Sequence, residues 1–197
     1  MATMTPSRPK VFNLPNQLTL GRFVLSLVLF GLIAAEWWRC CLGVFLVAAF
    51  TDWLDGYLAR KHGLSTSLGR LLDPLVDKVL MGGTFIFLLP LGREGSGLVP
   101  WMVTVVVARE LVITGLRSYV EQTGSKFGAD WLGKLKMGLQ CAVVIAIFIV
   151  LIAYTPFLAK VRDCLIYAML ATTLLSGVQY LWRASLLLRN TPVTPES

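Results

Sequence analysis

The sequence predicts an all-α integral membrane protein, with six transmembrane helices preceded by an N-terminal interfacial helix. Three observations carry this. Of 197 residues, 56% are hydrophobic and 15% charged, giving a mean hydropathy of +0.71, more apolar than one soluble core of this size requires. Six apolar runs, at 23–39, 40–59, 75–91, 98–116, 137–158 and 164–182, mostly approach the roughly 20 residues that cross a bilayer as helix. The basic residues also collect at alternate connections.

The elements follow in order. Residues 1–22 form a cytoplasmic or interfacial segment, within which Val11–Arg22, with Pro15, Asn16, Thr19 and Arg22, suits a helix lying at the headgroup boundary. The basic N-terminus and Phe23–Ala35 share the outline of a cleaved signal peptide, but no stretch that follows reads as a secreted domain. Residues 23–186 make one six-helix bundle and 187–197 a cytoplasmic tail. Short connections and the lack of an internal repeat or low-complexity tract argue for a single domain.

With six spans both termini lie on one side, together with the 60–74 and 117–136 connections. That side carries Arg8, Lys10, Arg22, Arg60, Lys61, Arg70, Lys78, Arg109, Arg117, Lys126, Lys134, Lys136, Arg183 and Arg189, leaving only Arg39, Arg93, Lys160 and Arg162 of the 18 Lys and Arg opposite. The positive-inside rule makes the richer side cytoplasmic, as in a bacterial-type inner membrane. The net charge of +7 is then topology plus attraction to anionic membrane lipids, with no nucleic-acid signature. Cys40, Cys41, Cys141 and Cys164 lack metal-ligand spacing and read as packing residues. His62 is the only histidine, which leaves little material for a histidine-based triad.

Four carboxylates stand out against this background. Asp52 and Asp55 are i, i+3 at the cytoplasmic end of the second run, and Asp73 and Asp77 are i, i+4 at the start of the third, so each pair shares a helix face. Gly63 and Gly69 turn the chain between them, and Pro74 is tolerated near a helix start. An ionised carboxylate in a span costs about 2.5–3.5 kcal/mol on insertion scales, and four together repel one another. Arg60, Arg70 and Lys78 can neutralise part of that charge. Oxygen donors without His or Cys match hard divalent ions, Mg²⁺, Mn²⁺ or Ca²⁺, and four carboxylates balance two such ions, the usual device for displacement at phosphorus. Gly56 and Ala59 suit either helix packing or close approach of a flat ligand, and Arg60 suits a phosphate.

Written out, the stretch is Asp52-x-x-Asp55-Gly56-x-x-Ala59-Arg60, eight residues, Gly69, three residues, Asp73, three residues, Asp77. It resembles, at every fixed position, the signature of the CDP-alcohol phosphotransferases. The resemblance implies a six-helix membrane enzyme, commonly a homodimer, that moves a phosphatidyl or similar group from a CDP-linked donor to an alcohol and releases CMP. It implies Asp52, Asp55, Asp73 and Asp77 as ligands of two Mg²⁺ or Mn²⁺ ions, with Asp77 also the catalytic base. Gly56, Arg60 and Thr66 fall where the family holds the CDP moiety, Ala59 and Gly69 give it room, and the element PNQLTLGR adds Asn16, Thr19 and Arg22 on the nucleotide side.

The alcohol must be read elsewhere. In ARELVITGLRSYV (108–120) Arg109 and Arg117 are eight residues apart, about 80° on a helical wheel, and GKLKM (133–137) supplies Lys134 and Lys136. Such residues either anchor to headgroups or make a pocket for a phosphorylated acceptor, with Arg gripping phosphate bidentately. Arg109, inside an apolar run beside Glu110, favours the second role. These segments resemble the bacterial branch of the family whose substrates are CDP-diacylglycerol and sn-glycerol 3-phosphate. Met137 stands where that branch has threonine. The rivals are a branch using phosphatidylglycerol as acceptor and, from a different class, a cation-coupled transporter, which would show the broken helices and repeated halves absent here.

Overall fold

The computed structural model describes residues 14–62, 67–122 and 131–190, all of them helical or in short turns, with no strand among the described residues. The helices are α1 (Leu14–Ala34), α2 (Trp38–His62), α3 (Ser67–Leu88), the four-residue α4 (Gly92–Gly95), α5 (Pro100–Gln122), α6 (Trp131–Ile152) and α7 (Pro156–Asn190), with one 3₁₀ turn at Leu89–Leu91. They fall into two compact units, Met1–Thr84 and Phe85–Ser197. Among the described residues three segments are long and apolar enough to cross a membrane, Leu75–Gly95, Leu135–Ile152 and Pro156–Arg183, and Thr19–Ala34 is a shorter apolar helix.

In the first unit α1 packs on α2. The buried positions of α1 are Thr19, Arg22, Ser26, Leu29 and Ile33, a stripe at spacings of three and four that an α-helix keeps on one face. The helix runs unbroken through 14–34, so the described part of the expected interfacial segment, 14–22, is the first part of α1 and not a separate helix. On the other face Leu20, Val24, Leu27 and Val28 are exposed, as they would be toward lipid.

α1 ends in a closed turn. Trp37 N–H donates to Leu32 O and Glu36 N–H to Ile33 O, both at 3.0 Å, with Glu36 at φ 59°. That is the left-handed C-terminal cap usually given to glycine. α2 continues its own buried stripe, Cys41, Phe45 and Ala48, and the next residue on that face is Asp52. On α3, Gly83 lets the Phe30 ring lie against its backbone where a Cβ would collide.

In the second unit α7 packs on both α5 and α6. Thr155 caps α7, its Oγ1 accepting from Leu158 N–H at 3.1 Å, and Pro156 follows at the first helical position. α7 therefore begins eight residues before the expected run at 164, and Lys160 and Arg162 lie in its first turns instead of in a connection. α6 has 22 residues, a length of about 33 Å, and it begins at Trp131 while Tyr154 follows just past its end. Those two side chains are 72% and 69% exposed, as interfacial aromatics flanking a hydrocarbon slab of about 30 Å are.

Arg162 is not a headgroup anchor. It is buried, donates through Nη1 to Gly95 O at 2.6 Å and Glu94 O at 3.3 Å, and meets Asp163 Oδ1 through Nε and Nη2, each at 2.9 Å. It thereby satisfies the carbonyls that end α4. Gly97, at φ 78°, makes this possible, since a Cβ there would stand 2.7 Å from Arg162 Nε and 3.0 Å from Asp163 Oδ1. Gly97→Ala should therefore destabilise the protein by about 1–3 kcal/mol, read as a lowered melting temperature in detergent. An unchanged value would mean that Arg162 does not hold this corner.

Candidate active site

Apart from the Arg162 corner, the described residues form one cluster of charged side chains in each unit. The first is built on the stripes described above. Arg22, 1% exposed, places Nη1 2.7 Å from Asp52 Oδ1 and 2.7 Å from Asp77 Oδ1. One guanidinium nitrogen of α1 thus joins a carboxylate from α2 to one from α3. The two oxygens can be no farther apart than twice that distance. Both carboxylates are about one-third exposed, so the pairing lies at the margin of the packed stripe.

The local sequence explains the placement. Asp52 follows Ala48 on the buried face of α2, and Asp77 follows Val76 on α3, so burial of the apolar neighbours carries the acids inward. Ser26 Oγ donates to Arg22 O at 2.8 Å, an ordinary internal helical bond that leaves the guanidinium to face the aspartates.

Of the four expected metal ligands, Asp52 and Asp77 are therefore brought together, with two carboxylates against one guanidinium. Asp55 and Asp73 lie on α2 and α3, with side chains outside the described residues. Among the described residues no set of three or more His, Cys, Asp and Glu converges. Hard oxygen donors from two helices meeting at one cationic nitrogen are nonetheless a fitting partial set for a hard divalent ion, with the guanidinium nitrogen standing where positive charge is required.

The residues expected around CDP are less fully placed. Thr19 and Arg22 are buried on α1, and the Asn16 side chain lies outside the described residues. Gly56, Ala59 and Arg60 lie on α2 and Gly69 on α3, without described side-chain surroundings. Thr66 lies outside the described residues.

The second cluster joins α5, α6 and α7. Arg109 Nη1 donates to Glu110 Oε1 at 3.2 Å, its Nη2 donates to Ser176 Oγ at 2.9 Å, and its guanidinium carbon lies 5.7 Å from the centre of the Tyr180 ring, within cation–π range. Lys136 Nζ is ion-paired to the same Glu110 Oε1. Gly177 lets the helices approach, a Cβ there falling 3.5 Å from Arg109 Cγ.

Lys136 is only 4% exposed, so it does not reach out to headgroups. Of the four residues expected at an acceptor phosphate, Arg109 and Lys136 are thus brought together, while the Arg117 and Lys134 side chains lie outside the described residues. Glu110, Ser176 and Tyr180 were not singled out from the sequence as site residues. The signal available was the buried stripe of α7, Arg162, Ile166, Met169, Thr173, Ser176 and Tyr180, which turns polar in its later half although the helix crosses apolar surroundings.

A family model described as CDP-alcohol phosphatidyltransferase matches residues 12–178. The chain belongs to this family. A CDP-alcohol phosphatidyltransferase of Bacillus subtilis, named CDP-diacylglycerol–glycerol-3-phosphate 3-phosphatidyltransferase, is 34% identical over 185 residues, covering 86% of this chain and 94% of the relative. A probable phosphatidylglycerophosphate synthase of Mycobacterium tuberculosis is 36% identical over 184 residues, covering 90% and 84%. A cardiolipin synthase (CMP-forming) of rice is 31% identical over 194 residues, covering 90% of this chain and 56% of its own. The matched region includes the first cluster and all of the second except Tyr180.

Replacing the family member's Arg22 by Met leaves Asp52 and Asp77 facing each other without the guanidinium. Stability should fall by about 1–3 kcal/mol, between the values for exposed and fully buried pairs. Adding Asp52→Asn to Arg22→Met should recover part of the loss in thermal melting. No recovery would mean that the ion pair is not its source.

Proposed function

We propose that this protein transfers the phosphatidyl group of CDP-diacylglycerol to sn-glycerol 3-phosphate, giving phosphatidylglycerophosphate and CMP. The observation that carries the reading is the pair of cations, mostly buried Arg109 and buried Lys136, gathered about one carboxylate in the second unit. A phosphomonoester acceptor offers such cations up to two charges and three terminal oxygens, against one charge and two free oxygens on a phosphodiester. The name of the Bacillus relative gives the same two substrates and that of the Mycobacterium relative the same product, which supports the reading.

In this reading the acceptor hydroxyl oxygen forms a bond to the phosphorus that bears diacylglycerol. The bond from that phosphorus to the CMP oxygen breaks, and CMP leaves with the electron pair. Asp77 takes the hydroxyl proton. Arg60, Gly56 and Thr66 hold the CDP moiety, Ala59 and Gly69 leave it room, and Asn16, Thr19 and Arg22 support the nucleotide side. Asp52, Asp55, Asp73 and Asp77 would hold two divalent ions, Mg²⁺ or Mn²⁺, which when bound offset negative charge on the diphosphate and on departing CMP. Arg109 and Lys136, with Arg117 and Lys134, orient the acceptor through its phosphate.

The same reading makes the chain a six-span protein of a bacterial-type cytoplasmic membrane, with both termini and the chemistry on the cytoplasmic side, acting as a homodimer among membrane lipids. The rice relative supports one alternative, phosphatidylglycerol as acceptor. The purified protein in detergent with CDP-diacylglycerol, Mg²⁺ or Mn²⁺, and either acceptor separates the two. CMP release should saturate with glycerol 3-phosphate, and release that responds only to phosphatidylglycerol would transfer the assignment to the alternative.

Two variants test the roles. Asp77→Asn, equal in size but unable to accept the proton, should lower CMP release at least about 100-fold with the melting temperature retained; full activity would remove Asp77 from the reaction. Arg109→Ala should raise the KM for glycerol 3-phosphate about tenfold or more and change that for CDP-diacylglycerol far less. A selective effect on the donor would place Arg109 on the nucleotide side.

A further inference from the structure

Glu110 is the one anion described within the second cluster, and a single atom of it serves both cations. Its Oε1 accepts from Arg109 Nη1 at 3.2 Å and pairs with Lys136 Nζ. Arg109 and Lys136 come from different helices and carry like charge, so without a carboxylate between them they would repel and turn apart. Arg109 is fixed further by Ser176 Oγ at 2.9 Å and by the Tyr180 ring. Each cation thus has a set direction before any ligand arrives, which is the condition under which charged groups bind with least loss of side-chain freedom.

One carboxylate oxygen meets two cations whose side chains are mostly buried, 12% exposed for Arg109 and 6% for Lys136. Arg109 Nε, itself buried, has no hydrogen-bond partner among the described residues, and neither has Nε2 of Gln140, one turn beyond Lys136 on α6. Unused donors beside two cations suit an anion with several acceptor oxygens.

We propose that Glu110 is a positioning residue, whose Oε1 holds Arg109 and Lys136 as a two-cation clamp for the acceptor's phosphate. The inference rests on the acceptor assignment made above. Glu110 touches neither substrate nor reacting atoms. It acts through the two cations, and its effect therefore falls on acceptor binding alone.

Glu110→Gln keeps the size and an acceptor oxygen but removes the charge that holds Lys136. In the full-length protein in detergent it should raise the KM for glycerol 3-phosphate at least about fivefold and weaken competition by inorganic phosphate in parallel. The KM for CDP-diacylglycerol should stay at the parent value, while the melting temperature falls with the lost ion pairs. Because Glu110 works through its partners, Glu110→Gln combined with Lys136→Met should be little worse than Lys136→Met alone. An unchanged acceptor KM, equal changes in both KM values, or fully additive losses would overturn the proposal.

Arg109→Ala separates the two levels. If it raises the acceptor KM while Glu110→Gln does not, only the positioning role fails. If neither variant moves that KM, the acceptor assignment itself fails. Should Glu110→Gln not fold, Glu110→Asp carries the same comparison, its shorter reach moving the acceptor KM in the same direction by less.

Discussion

Charge inside an apolar bundle is the constraint on which the rest of this structure depends. A membrane-sized helix tolerates an ionised side chain only where another charge, a hydrogen bond or a ligand offsets the loss of water. The described residues meet this requirement by bonding charges across helices. Arg22 joins α1 to Asp52 and Asp77, Glu110 joins α5 to α6, and Arg162 joins α7 to the end of α4. In each case a side chain needed for its charge also fixes which helices meet and at what depth.

Helix interiors were largely legible in the sequence, since apolar runs and the three-and-four spacing of buried residues follow from the geometry of one helix. The ends were less so. Nothing in PNQLTLGR interrupts the stripe from Thr19 to Ile33, so 14–22 continues into α1 where an interfacial helix was expected. Conversely, α7 extends back to Pro156 because Thr155 and Pro156 make a good helix start, a local signal outweighed in the reading by the charges of Lys160 and Arg162.

The candidate site divides the same way. The identity of the aspartates was legible because the signature is local to 26 residues, and fixed spacing on a helix implies a shared face. Their pairing with Arg22 was not, because it depends on how α1 packs against α2, with a separation of 30 residues or more along the chain. Arg109 stood out as a charge in an apolar run. Glu110, Ser176 and Tyr180 did not, since a glutamate beside an arginine, or a serine and a tyrosine in an apolar helix, acquires meaning only from the neighbouring helices. Long-range polar contacts carry almost no one-dimensional trace, and both clusters consist of them.

The Arg162 corner has a mechanical consequence. Residues 162 and 176 are separated by 14 positions of one helix, about 21 Å of rise, and α7 is bonded near its start to backbone carbonyls and further along to Arg109. A rod pinned at one end converts rotation at the pin into displacement at the other, and a tilt of about 5° about Arg162 would carry Ser176 by about 2 Å, enough to break its 2.9 Å bond to Arg109. The rigidity of a corner remote in sequence from the cations thus sets the tolerance to which they are aimed.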